Sequence, residues 1–158
     1  MRVDREHQLY TKVAQYLQKH YPHAIYRFDV AADLKLTKGQ AVKLKKLHPK
    51  RGYPDLFIAY PIFKIPTDEE RHEYIERYGK DGLPIMITEH LFAGLFLELK
   101  ADGKSPFRKD GKLKKDKHLE EQQAMLELLQ RSKYRAEFAT GFEEAKAIID
   151  DYFNNSLY

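Results

Sequence analysis

Apolar side chains recur at helical spacing from Asp4 to His20, where Leu9, Val13, Tyr16 and Leu17 fall on one stripe. Asp4 and Glu6 suit the positive N-terminal end of such a helix, and Tyr21-Pro22 ends it. Ala24 to Val30 alternates as a strand does, with Ile25, Tyr26 and Phe28 as its anchors. Asp29 and Asp33 flank that strand at positions that can face solvent. Thr37 to Leu47 reads as a short basic helix with Thr37 as its cap. Asp55 to Tyr60 is the next strand; Pro54, which lacks an N–H, suits its opening, and Pro61 stops it. Residues 61 to 91 form an insert in which Thr67-Asp68-Glu69-Glu70 has the form of a capping box, followed by a helix to about Tyr78. Gly79 and Gly82 break that helix.

Leu91 to Lys100 is apolar apart from Gly94 until Glu98 and reads as a central strand covered on both faces. Ala101 to Lys117 is polar, with Gly103, Pro106 and Gly111, and reads as a mobile loop. Leu119 to Arg131 is a helix with Leu119, Met125, Leu126 and Leu129 inward. Lys133 to Ala139 is an edge or flanking strand. Gly141 to Phe153 is a closing helix with Phe142, Ala145, Ile148, Ile149 and Phe153 inward. The sum is an α/β chain with a mixed β-sheet flanked by helices.

Charges interrupt this pattern at two strand ends. Successive strand residues alternate faces, so Glu98 and Lys100 point one way and Leu99 the other, into the core. Burying either charge unpaired would cost several kcal/mol, so a partner charge, a metal ion or an anionic substrate must compensate. The other strand starts with Asp55. If the two strands pair antiparallel, the start of one lies beside the end of the other, and Asp55 faces Glu98 and Lys100. Two carboxylates and an amine at one sheet end suit magnesium and water activation.

Composition narrows the chemistry. A chain of 158 residues with 42% hydrophobic residues fits one domain with a real core. No run approaches a membrane span, and Met1-Arg2-Val3-Asp4 does not start a signal peptide, so a cytoplasmic location is expected. The chain has no Cys, which excludes disulfides, thiolate zinc sites and iron–sulfur clusters. Its seven His show no His-Glu-x-x-His spacing, and neither a Gly-rich phosphate loop nor a Ser nucleophile elbow is present. Net charge is only +4, but seven basic and no acidic residues lie between Leu34 and Pro54, and eight basic against three acidic between Lys100 and Lys117. Cations clustered beside a carboxylate site suggest a polyanion held near a metal; the plainer reading is a pair of solvated Lys-rich loops. The candidate contacts are Lys43, Lys45, Lys46, Lys50 and Arg51 in the first patch. In the second they are Lys104, Arg108, Lys109, Lys112, Lys114, Lys115 and Lys117. Phe107 is either a base-stacking residue or a loop residue folded against the body.

Pro54-Asp55 followed by Glu98-Leu99-Lys100 resembles the signature of the PD-(D/E)xK nuclease superfamily. The fuller resemblance is to its VRR-NUC branch, which includes small stand-alone phage proteins. That branch shows an acidic residue in the first helix, Gly-x-Pro-Asp before a strand, Glu-x-Lys ending the next, and then a helix opening with Gln. Glu6, Gly52 to Asp55, Glu98 to Lys100 and Gln122 stand in that order. The resemblance implies a restriction-endonuclease-like core of α-β-β-β-α-β type, here as a single domain over residues 1–158 with an insert at about 61–91. It also implies Mg2+, with Mn2+ substituting, held by Asp55, Glu98 and the Leu99 carbonyl. Lys100 would orient or deprotonate the attacking water or stabilise charge at phosphorus, and Gln122 would position without titrating. Glu6 would add a carboxylate near the metal, and His118, one turn before Gln122, is a further candidate at the cleft. The activity implied is DNA endonuclease, selective for branched or four-way junction DNA and acting as a homodimer. Two readings compete: a non-catalytic nucleic-acid binder on the same fold, and a protein-interaction module that uses the insert.

Overall fold

The computed structural model describes residues 5–29, 37–47, 50–63, 66–80 and 90–154. Asp4, Val30, Asp33 and Gly82 lie outside them. Helix α1 (Arg5–His20) leads to strand β1 (Tyr26–Phe28), helix α2 (Lys38–Leu47) and strand β2 (Leu56–Ile58). The insert supplies β3 (Ile62–Phe63), α3 (Asp68–Tyr78) and β4 (His90–Phe92). Then come β5 (Leu95–Lys100), α4 (Lys117–Arg131), β6 (Arg135–Thr140) and α5 (Gly141–Asn154).

Four strands form the main sheet in the order β1-β2-β5-β6. β1 and β2 are antiparallel, β2 and β5 antiparallel, and β5 and β6 parallel. A parallel neighbour needs a crossover, and α4 supplies it. The mixed sheet with flanking helices thus follows the expected pattern, and β6 stands at the edge.

The alternation along β5 sorts the helices by face. Leu95, Leu97 and Leu99 join Leu56, Ile58 and the buried residues of α1 and α5 in one core. Phe96 joins Leu126, Ala136 and Phe138 on the other face, beneath α4. Glu98 and Lys100 share the parity of Phe96, so they face α4. α1 is fixed on α5 by Asp150, whose Oδ1 accepts from the Tyr16 and Tyr21 hydroxyls at 2.6 and 2.8 Å. Its Oδ2 takes Lys146 Nζ at 2.9 Å.

Several sequence expectations change. Ile25 is 73% exposed instead of anchoring β1; its carbonyl accepts the Ala59 N–H at 2.8 Å, but β1 is an edge strand and that side chain has no cover. The expected single strand from Leu91 to Lys100 divides at Ala93–Gly94, and its first part pairs with β3 in a separate two-stranded sheet. A Cβ on Gly94 would lie 2.8 Å from the Ile58 carbonyl oxygen and 2.8 Å from the Phe57 ring. The segment after β5 has a defined hairpin shape: Lys112 and Pro106 carbonyls accept from the Arg108 and Lys114 N–H groups. Asp116, not singled out in the sequence, caps α4 by accepting from His118 and Leu119 N–H. The cap at Thr37 and the capping box at Thr67 form as expected, and Gln40 completes a reciprocal pair of bonds at Thr37 that the sequence reading did not name.

Candidate active site

The site stands at the rim shared by the start of β2 and the end of β5. The register Ile58↔Leu95, Phe57↔Phe96, Leu56↔Leu97, continued one step, sets Asp55 beside Glu98. Asp55 Oδ2 accepts the Leu99 N–H at 2.8 Å, which ties the two strands where the ladder stops. The next step would set Pro54 opposite Leu99. A strand residue's N–H and C=O face the same neighbour, so the Leu99 carbonyl also turns toward β2. Pro54 has no N–H to give it. The proline therefore keeps a backbone oxygen available beside two carboxylates.

Glu98 is 2% exposed. Its Oε1 accepts from Lys100 Nζ at 2.8 Å and from Gln122 Nε2. Lys100 Nζ also donates to Gln122 Oε1 at 3.0 Å, closing a triangle between strand and helix. Gln122 is buried and belongs to the α4 face that covers Phe96, which explains how it reaches both charges. Glu98 Oε2 is the one buried side-chain oxygen or nitrogen without a hydrogen-bond partner among the described residues.

Burial pushes the Glu98 carboxyl well above the usual carboxylate range, and the neighbouring charge of Asp55 adds to this; Lys100 offsets part of it. Burial also raises Asp55, opposed by the Leu99 N–H, the Tyr10 hydroxyl and Lys100. Two carboxyls crowded at one buried rim, with Lys100 on the side of Glu98 and Gln122, both have their charged form disfavoured by burial. A divalent cation relieves that crowding, and hard oxygen donors suit magnesium or manganese. The orphaned Glu98 Oε2, the Asp55 carboxylate and the Leu99 carbonyl therefore fit such an ion. No group of three or more His, Cys, Asp or Glu that could hold a metal forms among the described residues; the donors brought together at this rim are two carboxylates and a backbone carbonyl.

These groups open into a cleft of about 670 Å³ that Glu6, Tyr10, Lys50, Arg51, His118 and Glu121 also line. Glu6 thus stands on the wall, where Lys104 Nζ reaches it at 3.3 Å. Lys50 and Arg51 are the basic residues of the first patch that border the cleft; Lys43, Lys45 and Lys46 are exposed on α2, whose Leu44 lines it instead. The second patch stays outside the lining. Arg108 pairs with Asp110 at 3.6 Å, Lys114 donates to the Ser105 carbonyl, and Lys109, Lys112, Lys115 and Lys117 are exposed. Phe107 meets Phe138 edge-on, with centroids 5.7 Å apart, which places it against the body.

Gly52 joins the loop to the helix. Its φ of +75° is open to glycine, and a Cβ there would lie 2.6 to 2.8 Å from the Glu121 carbonyl and the Gln122 nitrogen. The sequence reading missed Tyr10, Tyr53, Asp29 and Glu121 as cleft residues. Tyr10 falls one residue after Leu9 on the apolar stripe and reads as core. Glu121 follows from Gln122 only once the helix face is known.

No protein-family model matches the sequence, and no curated protein matches it. A search of solved structures finds a chain described as "VRR_NUC domain protein", at TM-score 0.59 and 18% identity, covering 99% of this chain and 93% of that one. At that identity the likeness establishes a shared fold, the mixed α/β arrangement that the sequence pattern predicts.

Proposed function

We propose that this chain is a VRR-NUC-type nuclease domain, with an insert at 61–91, that uses a divalent metal to hydrolyse phosphodiester bonds in DNA. Branched or four-way junction DNA is its substrate, and a homodimer its working form, since symmetric cleavage of two strands requires two sites. A cytoplasmic location is part of this reading. Among the described residues no helix is long and apolar enough to cross a membrane. The observation that carries this reading is the meeting of Asp55 and Glu98 across β2 and β5 with Lys100 between Glu98 and Gln122. The shared fold with a VRR_NUC domain protein supports it.

A bound magnesium or manganese ion would neutralise charge on the phosphate and lower the pKa of a water. Asp55, Glu98 and the Leu99 carbonyl would hold that ion. Lys100 is placed to orient the attacking water or to stabilise charge at phosphorus, and Gln122 fixes the ammonium and the Glu98 carboxylate. Lys50 and Arg51, which border the cleft, hold the DNA backbone there.

The decisive assay offers the protein plasmid and synthetic four-way junction DNA with magnesium, with manganese and with chelator. Cutting is expected with either metal and absent with chelator. Lys100→Ala should bind DNA and cut poorly. Binding without metal-dependent cutting would favour the non-catalytic binder. A separate measurement addresses the cleft wall. Replacing both Lys50 and Arg51 by Gln should reduce the slope of log affinity against log salt by about two, as read by fluorescence anisotropy. An unchanged slope would remove these residues from the interface.

A further inference from the structure

A second, smaller pocket of about 250 Å³ adjoins the cleft, lined by Arg27, Asp29, Tyr53, Pro54 and Phe57. We propose that it receives an unpaired nucleobase of the DNA strand held at the carboxylates. The proposal rests on the nuclease reading above. Asp29 and Tyr53 line both cavities, so they form the wall between them. A nucleotide carries its base one sugar away from its phosphate. A phosphate at Asp55 and Glu98 therefore leaves a neighbouring base within reach of this pocket.

The lining suits a flat ring with a polar edge. Phe57 is held by stacking on Phe96, with centroids 4.4 Å apart and planes 17° apart. Tyr53 stands edge-on to the same Phe96 at 5.6 Å and 87°, yet remains 44% exposed. A single exposed aromatic residue is ordinary; this one borders a preformed pocket next to a carboxylate pair. Arg27 and Asp29 are two residues apart, so strand alternation sets them on one side. Arginine only donates and an ionised carboxylate only accepts, which matches the adjacent acceptors and donors on base edges. A phosphate alone would not choose a pocket with an apolar floor and an Asp at its rim. A base stacked inside a duplex is not available to it, so the ligand is a base already unstacked at a branch, flap or single-stranded end.

The test is a coupling experiment. First the cut is mapped on the preferred substrate. A series of substrates then carries one abasic nucleotide, or each of the four bases in turn, at successive positions around the cut. Cleavage rate and affinity are measured for the wild type, Tyr53→Leu, Tyr53→Phe and Arg27→Met. Removal of one base beside the cut should slow or weaken the wild type by about tenfold. In Tyr53→Leu that penalty should nearly vanish, because the stacking partner is already gone. Tyr53→Phe should keep it. Arg27→Met, an exposed position, should change which bases are preferred there with the fold intact. A wild type that cuts with no such position, or a penalty undiminished in Tyr53→Leu, overturns the subsite and leaves the nuclease reading standing. Absence of metal-dependent cutting removes the nuclease reading itself. If DNA is then still bound, the same coupling read in affinity decides the subsite; if it is not bound, the subsite falls as well.

Discussion

Glu98→Gln should lower DNA cleavage on the order of a thousandfold while making the metal-free protein more stable at pH 8. The loss follows from removing one of the two carboxylates proposed to hold the ion, an interaction that would be worth several kcal/mol in the transition state. The gain follows from the position of the group. Glu98 is buried beside Asp55, and both effects raise its pKa above that of the unfolded chain. Across the window from the ordinary carboxylate pKa of about 4.3 up to the raised value, the folded state binds more protons than the unfolded state. Stability therefore falls as pH rises through that window. A neutral amide of the same shape removes this cost and still accepts from Lys100. An increase of about 1–2 kcal/mol, or roughly 3–6 °C in Tm, is expected at pH 8. Near pH 4 the two proteins should melt together. Added magnesium should raise the Tm of the wild type and leave the variant nearly unmoved. A variant less stable than the wild type at pH 8 would mean that Glu98 is held ionised by Lys100 and Gln122 at no net cost.

Gly52→Ala should damage both folding and chemistry, although residue 52 would touch neither metal nor phosphate in the role given to it. Alanine at φ +75° is strained by about 1–2 kcal/mol, and its Cβ would press on the backbone of Glu121 and Gln122. Those atoms belong to a helix and cannot rotate away as a side-chain tip would. The loop must lift from α4 or α4 must shift, and either change separates Asp55 from the triangle around Gln122. A loss of about 2–4 kcal/mol is expected, with Tm lower by roughly 5–15 °C. Displacement of the site by an ångström costs about a hundredfold in rate. Thermal melting and single-turnover cleavage at low temperature separate the two effects. Unchanged rate and Tm would show that the loop is not seated on α4.

The contrast between these two residues shows what the sequence discloses. Asp55, Glu98 and Lys100 are legible because charge at the end of an apolar strand is costly and therefore conspicuous. Their meeting requires only antiparallel pairing, and β2 and β5 pair that way. The helix periods of α1, α4 and α5 likewise follow from local spacing. What spacing hides is contact between distant elements. Nothing in the order of residues tells that Gly52 lies on α4, or that Tyr10 turns its hydroxyl to Asp55 from a helix otherwise packed in the core. Ile25 shows the opposite failure. It has an apolar side chain in an alternating run, but an edge strand leaves it uncovered, and periodicity does not say which strand is at the edge. Gly94 divides one apolar run between two sheets because a neighbouring strand occupies the space of its side chain. The basic stretches are plain in the sequence, while their division into cleft-lining Lys50 and Arg51 and outlying loop lysines depends on the fold.

Because β2 and β5 run in opposite directions, the segment that joins them leaves the sheet at Ile58 and returns at Leu95, at the end away from Asp55. Strands advance about 3.3 Å per residue, so this junction lies several residues from the carboxylates. The sheet thus has a carboxylate end and a free end. Lineages could lengthen, trim or exchange the passage at the free end without disturbing the carboxylates, and it is there that one protein of this shape can come to differ from another.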